Sequence, residues 1–331
     1  MNSANATVVA RRCLAAVVFA VSIAFTSQAA AQNYPRRTVT IVVPFPPGAA
    51  TDSFARAAGK RMGELLGHQF VIDNRAGASG RIGTDQVARA TPDGHTLLWG
   101  SSGPLVISPV WGDKIPYDTL RDFAPVSLFA KIPYVLVVHP SVPAKTLKQL
   151  IAIVRAQPGK LTYASSGIGG TSHLAGELFK SMAKLDVLHV PYKGTSLFAT
   201  ELIAGQVDMA FAGPTTVLPH VQPGRMRALG ITSNVRSALF AGVPTMTEAG
   251  LPGYEFTQWY ALLAPAKTPR DIVMALNAAL LKSTDDADVK KRVGVEGGAL
   301  SPGTPEQLTA FLRTELDSNA KMIRAAGLKR E

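Results

Sequence analysis

The strongest constraint in this 331-residue chain is an alternation of strand-like and helix-like segments that runs twice. Residues 39–43, 69–73 and 95–100 read as short apolar strands, and 52–66 and 81–90 between them carry helical spacing. The pattern restarts with strands at 135–138, 161–164, 187–190, 207–211 and 227–232. Helical segments follow Thr146 and cover 172–182 and 196–204. Such alternation predicts mostly parallel sheets covered on both faces, an α/β fold. In that architecture ligands sit beyond the carboxyl ends of the strands, where loops lead into helices.

The C-terminal part breaks the alternation. After Pro265 the signals are helical: Thr268-Pro269 and Thr304-Pro305 each pair a capping residue with a proline at the first helical position. Thr304 with Gln307, like Thr146 with Gln149, has capping-box spacing. These helices have no sheet of their own and are expected to return to the first α/β unit. Two crossings, near 129–135 and 256–263, would join the units. The expected division is 32–132 with 256–331 as one domain and 133–255 as the other.

Residues 1–31 read as a secretory signal peptide. Arg11 and Arg12 form a basic start, 14–25 is apolar except for Ser22, and Ala29, Ala30 and Ala31 end it with small residues. Cleavage near Ala31 would place the mature chain in the periplasm, beginning near Gln32. Cys13, the single cysteine, leaves with the signal, so disulfide and thiolate chemistry are not expected. Loss of Arg11 and Arg12 lowers the formal net charge from +11 to +9. The basic residues are scattered and the chain is exported, so no nucleic-acid partner is expected. A basic surface can be solvated decoration or can attract anionic solutes.

Four loops at strand ends are rich in Gly, Ser and Thr: 44–52, 100–103, 164–173 and 191–196. The sharp turn Pro44-Phe45-Pro46-Pro47-Gly48 leads directly into the first helix, where Thr51 or Asp52 can cap. A helix N-terminus presents unsatisfied N–H donors and a partial positive charge. Several charge-assisted hydrogen bonds, each about 1.5–3 kcal/mol, hold a carboxylate without a buried arginine. Each loop alone also reads as an ordinary turn. The phosphate-binding G-x-x-x-x-G-K-[ST] and G-x-G-x-x-G patterns are absent. So is the G-x-S-x-G elbow of a hydrolase, and no two histidines stand in H-x-H or H-x-x-x-H spacing. Catalysis, a metal and a cofactor are therefore not expected.

The segments "VPFPPGAATD", "NRAGASGRIGTDQVARATPDGHTLLWGSSG", "GKLTYASSGIGGTSHLAGELFKSMA", "HVPYKGT" and "GQVDMAFAG" resemble one known family. They are similar to the Bug-type extracytoplasmic solute receptors of tripartite tricarboxylate transporters, over almost the whole mature chain. The resemblance implies a two-domain fold like the type II periplasmic binding proteins. It implies a small carboxylate held in the interdomain cleft of a monomer and delivery to the transporter's membrane components. By the same resemblance, Phe45, Pro47, Gly48, Thr51, Asp52, Ser101 and Ser102 hold a carboxylate, partly through ordered waters. The facing domain would supply Ser165, Ser166, Gly167, Thr171, Ser172 and His173, with Tyr192 and Lys193 close by. Where many relatives carry an Asp beside Phe, this chain has Phe211-Ala212-Gly213, which favours a plain carboxylate over an amino acid. Two alternatives stay open: a sensing receptor for a signalling partner, and a secreted hydrolase.

Overall fold

The run Val-Thr-Ile-Val-Val forms β1 (Val39–Val43), buried along almost its whole length as suits a strand paired on both sides. A computed structural model describes this and the rest of the chain over residues 34–48, 50–112, 114–192 and 194–325. The residues expected to form a signal peptide, 1–31, and Lys193 lie outside that set. After β1 come β2 (Phe70–Asn74), β3 (Thr96–Ser101) and the long β4 (Phe123–Pro133). Then follow β5 (Val135–Val138), β6 (Thr162–Ser165), β7 (Leu188–Pro191), β8 (Met209–Ala212) and β9 (Arg227–Ile231). Finally come β10 (Thr257–Pro265) and the two-residue β11 (Ala299–Leu300).

These strands make two sheets, in the orders β11-β4-β10-β3-β1-β2 and β7-β6-β8-β5-β9. The expectation of mostly parallel pairing holds for β1 with β2 and β3, and for β6 with β7 and β8. It fails at β10, antiparallel to β3 and β4, and at β5, antiparallel to β8 and β9. Both are strands on which the chain has just crossed from the other sheet. They enter from the opposite end to strands reached by a helical return.

Only Tyr134 separates β4 from β5, so the crossing is as short as it can be. Thr232, fully buried, pins it to the returning segment. Its hydroxyl accepts from the Tyr134 N–H at 2.7 Å and donates to the Phe256 carbonyl at 2.5 Å. Its own backbone bonds the other group of each residue.

The helices are α1 (Ala50–Leu66), α2 (Arg81–Ala88), α3 (Leu147–Ala156), α4 (Thr171–Ala183), α5 (Thr195–Ile203) and α6 (Pro214–Val221). The C-terminal part adds α7 (Arg270–Ser283), α8 (Ala287–Val295) and α9 (Pro305–Ala325). The capping box at Thr304 forms in full: Thr304 N–H donates to Gln307 Oε1 and Gln307 N–H to Thr304 Oγ1. Thr268 does not cap; its hydroxyl donates to the Pro265 carbonyl, and α7 begins at Arg270. As expected, α7 and α8 return to pack on α1. Helix α9 goes further. Its Leu308 and Leu312 join the core around Trp259, and its Met322 and Ile323 join the core around Phe179 and Phe211. One helix of 21 residues, about 31 Å long, thus packs against both sheets' cores.

Candidate ligand-binding site

The carboxyl ends of β1, β3 and β6 and both crossing strands surround a cavity of about 750 Å³. β3 places Ser101 at its last position, directly opposite Tyr260 of β10 in the pairing register. Two residues earlier on the same face of β10 stands Gln258, which also lines the cavity. Ser102 Oγ donates to Gln258 Oε1 at 2.8 Å, leaving the amide NH2 as a donor. Ser101 is 0 % exposed, and its Oγ has no hydrogen-bond partner. A buried hydroxyl without a partner costs about 1–3 kcal/mol, so this one is placed to be completed by something in the cavity.

The opposite wall is the loop from β6 into α4. Gly167 and Gly169 adopt φ of 131° and 74°, values that admit glycine readily and other residues poorly. Their turns fold the loop back so that Ser166, Gly167, Gly169, Gly170 and Thr171 line the cavity. The α4 N-cap is Gly170, with no side-chain cap bond. First-turn N–H groups of α4 are therefore available to an anion. Burial raises the pKa of the Tyr134 hydroxyl, with the Thr171 hydroxyl acting against the rise. Burial likewise raises that of Tyr260, against Thr51. Both phenols are donors at any ordinary pH.

Of the residues expected at the site, Phe45, Thr51, Ser101, Ser166, Gly167 and Thr171 line the cavity. The other expected residues that the structure describes lie outside that lining. Gly48 and Pro47 are exposed, and Gly48 N–H donates to Asp52 Oδ2. Asp52 is buried and further held by Arg56 and Asn74. Burial alone would raise its pKa, but the bonds from Arg56, Gly48 N–H and Asn74 outweigh that and lower it. Asn74 also donates to the Phe45 carbonyl, so this carboxylate fixes the shape of the first loop. Ser172 Oγ accepts from Ser166 N–H, and Ser165 Oγ pairs with His189 Nε2. His173 is buried, and its Nδ1 accepts from Gly169 N–H. Tyr192 packs on the core of the second sheet.

Sequence reasoning missed Ser79, Arg81, Ser108, Trp111, Tyr134, Gln258 and Tyr260 among the lining residues. Gln258 and Tyr260 were readable as alternate residues of a crossing strand, whose one face must floor the cleft. Trp111 had no such signal. Arg81 is the single cation among the described lining residues, and no carboxylate lines the cavity. Among the described residues no His, Cys, Asp and Glu cluster suits a metal ion, and no helix is long and apolar enough to cross a membrane.

Known proteins are similar to this chain in sequence and fold. BugT of Bordetella pertussis is 35% identical over 313 residues, covering 94% of this chain and 96% of its own. A solved structure of R. palustris Rpa4515 with adipate is 34% identical, with TM-score 0.76 over 89% of this chain and 99% of that one. MatC from Rhodopseudomonas palustris with bound malate is 33% identical, with TM-score 0.73 over 88% and 100%. Residues 54–328 match the family described as the tripartite tricarboxylate transporter family receptor. With two sheets joined by crossing strands, a cavity between them and matches along nearly its whole length, the chain belongs to the tripartite tricarboxylate transporter receptor family, the Bug-type solute-binding proteins.

Proposed function

We propose that this receptor captures a small carboxylate in the cavity between its sheets and hands it, chemically unchanged, to the membrane components of a tripartite transporter. The observation that carries the reading is the buried, unpartnered hydroxyl of Ser101, a residue lining a cavity whose donors are neutral apart from Arg81. Ser101, Gln258, Tyr260 and Thr51 would hold one end of the ligand. Ser166, Gly167, Thr171 and the α4 N-terminus would meet the other. Neutral donors suit an anion that must leave again, because each hydrogen bond to it contributes about 1.5–3 kcal/mol while a buried ion pair is costly to break. Adipate and malate, held by similar receptors, are the natural probes. The domains would be 32–132 with 256–331, and 133–255, closing about Tyr134 and Thr232.

Export fits the family, and the mature chain would start near Gln32; N-terminal sequencing of the periplasmic protein tests that boundary. Calorimetric titration with adipate, malate and their dimethyl esters tests the site. Binding of a diacid, lost in its ester and weakened by Ser101→Ala, supports it. Equal binding of acid and ester, or an unaffected Ser101→Ala, would refute it.

A further inference from the structure

Beneath the 165–172 loop lies a group of titratable side chains that stand outside the cavity lining and bond to the loop that forms it. His173 and His189 stack at 4.2 Å between ring centroids, with 30° between their planes. Tyr163 stacks on both, at 4.7 Å from His189 and 6.4 Å from His173. Each imidazole spends one ring nitrogen on the loop above. His173 Nδ1 accepts from Gly169 N–H at 3.1 Å, and His189 Nε2 pairs with Ser165 Oγ at 2.7 Å. Ser165 Oγ in turn accepts from Gly167 N–H. The two glycines whose positive φ values shape the loop are thus tied to the two rings. Trp111, a lining residue, meets His173 edge-on at 5.7 Å.

We infer that His173 and His189 are positioning residues, a neutral imidazole pair that holds the ligand loop in its binding shape and releases it on protonation. The geometry fixes the tautomer. Because His173 Nδ1 accepts from an amide N–H, the proton of the neutral ring sits on Nε2. A second proton can go only to Nδ1, where it faces the Gly169 N–H and removes the acceptor. Two stacked cations at 4.2 Å also repel. The charged groups around the pair are Glu177 and Lys180 on α4. Glu177 is itself engaged by the Tyr163 hydroxyl and by Lys180 at 2.8 Å, so its charge is largely matched. Burial lowers the pKa of His173, and it lowers that of His189 to about 4, with His173 adding to the shift. The pair is therefore neutral near pH 7 and gains charge only in acid.

The role rests on the 165–172 loop being a ligand loop, yet the loop's order can be read without ligand. Adipate and malate titrations bear on the carboxylate site; exchange of the Gly169 amide bears on the imidazole pair. NMR-detected hydrogen exchange of the mature protein at about pH 7.5 and about pH 3 places one arm on each side of the depressed His189 value. The Gly169 protection factor should fall about tenfold in acid, the factor one hydrogen bond carries, while that of Val137 in the core stays. His173→Phe keeps the ring but not the acceptor, and should leave Gly169 unprotected at both pH values. His173→Asn places a non-titrating acceptor near the Nδ1 position, and should protect Gly169 at both. A pH-independent Gly169 amide in the wild type, or a pH-dependent one in His173→Asn, would overturn the assignment.

Discussion

Replacing Thr232 by valine isolates the bond pair that ties the two crossings together. Valine has nearly the same shape, so packing survives and only the hydroxyl is lost. Two backbone groups lose their partner: the Phe256 carbonyl, in a fully buried bond, and the Tyr134 N–H, in a partly buried one. An orphaned buried group costs about 1–3 kcal/mol, and the Tyr134 amide lies at the low end because water reaches it, so the sum is about 2–4 kcal/mol. At about 2 °C per kcal/mol for a chain of this size, the melting temperature should drop by about 4–8 °C. Thr232→Ser keeps both bonds and should recover most of the loss. Differential scanning calorimetry of the three proteins, with adipate titrations alongside, gives stability and binding together. If the valine variant melts within about 1 °C of wild type, the hydroxyl is not holding the crossing, and the hinge assigned to Tyr134 and Thr232 loses its basis.

Gly176 packs so closely on Tyr163 that an added Cβ would lie 2.3 Å from the ring, so Gly176→Ala should cost about 1–3 kcal/mol in urea unfolding; an unchanged midpoint would show that the Tyr163 ring can retreat. Burial raises the Glu315 carboxyl pKa despite the Trp259 indole N–H and Lys131. Its stabilising protonated form is lost as pH rises through that value. Glu315→Gln retains an acceptor for Trp259 and should raise the melting temperature at neutral pH but not well below the Glu315 pKa. A gain of equal size at both would refute the assignment. His189 is depressed to about 4 from 6.5, so the unfolded chain binds more protons across that window and stability falls as pH drops through it. His189→Phe should flatten that slope in thermal melts, and a slope equal to wild type would exclude His189 as its source.

The alternating half of the fold was legible because strand and helix periods differ and each segment satisfies its own. Val39–Val43 and the capping box at Thr304 are local facts, and local facts survive into the structure. What escaped was decided by tertiary contact. β4 contains Pro125 and Pro133 and has no clean alternation, yet it pairs along its length with β10, some 130 residues away. α6 opens on Pro214, but it carries Pro219 inside it and lacks a side-chain cap, so the start signal is contradicted within two turns. Helix α9 reads as an ordinary amphipathic helix. That its two ends serve two different cores follows from its length and direction, which no periodicity records.

The site poses a harder problem, because one residue type does two jobs. Small hydroxyls at a strand end can bind a ligand or can bind the loop that carries them. Ser101 and Ser102 are neighbours in one tetrapeptide, but Ser101 ends β3 opposite Tyr260 with its hydroxyl unpartnered, while Ser102 begins a helical turn and spends its hydroxyl on Gln258. Ser172 and His173 are likewise consumed within the loop, and Ser165 by His189 of β7. A count of loop hydroxyls therefore overstates the donors left for a ligand, and the deficit is made up from segments with no loop signature. Tyr134 and Gln258 come from the crossings, and Trp111 from a tract that reads as filler between strands. The parity of a strand's last residue and the face of a crossing strand decide which polar groups remain free. Both are set by pairing register, which exists only once the two sheets have formed.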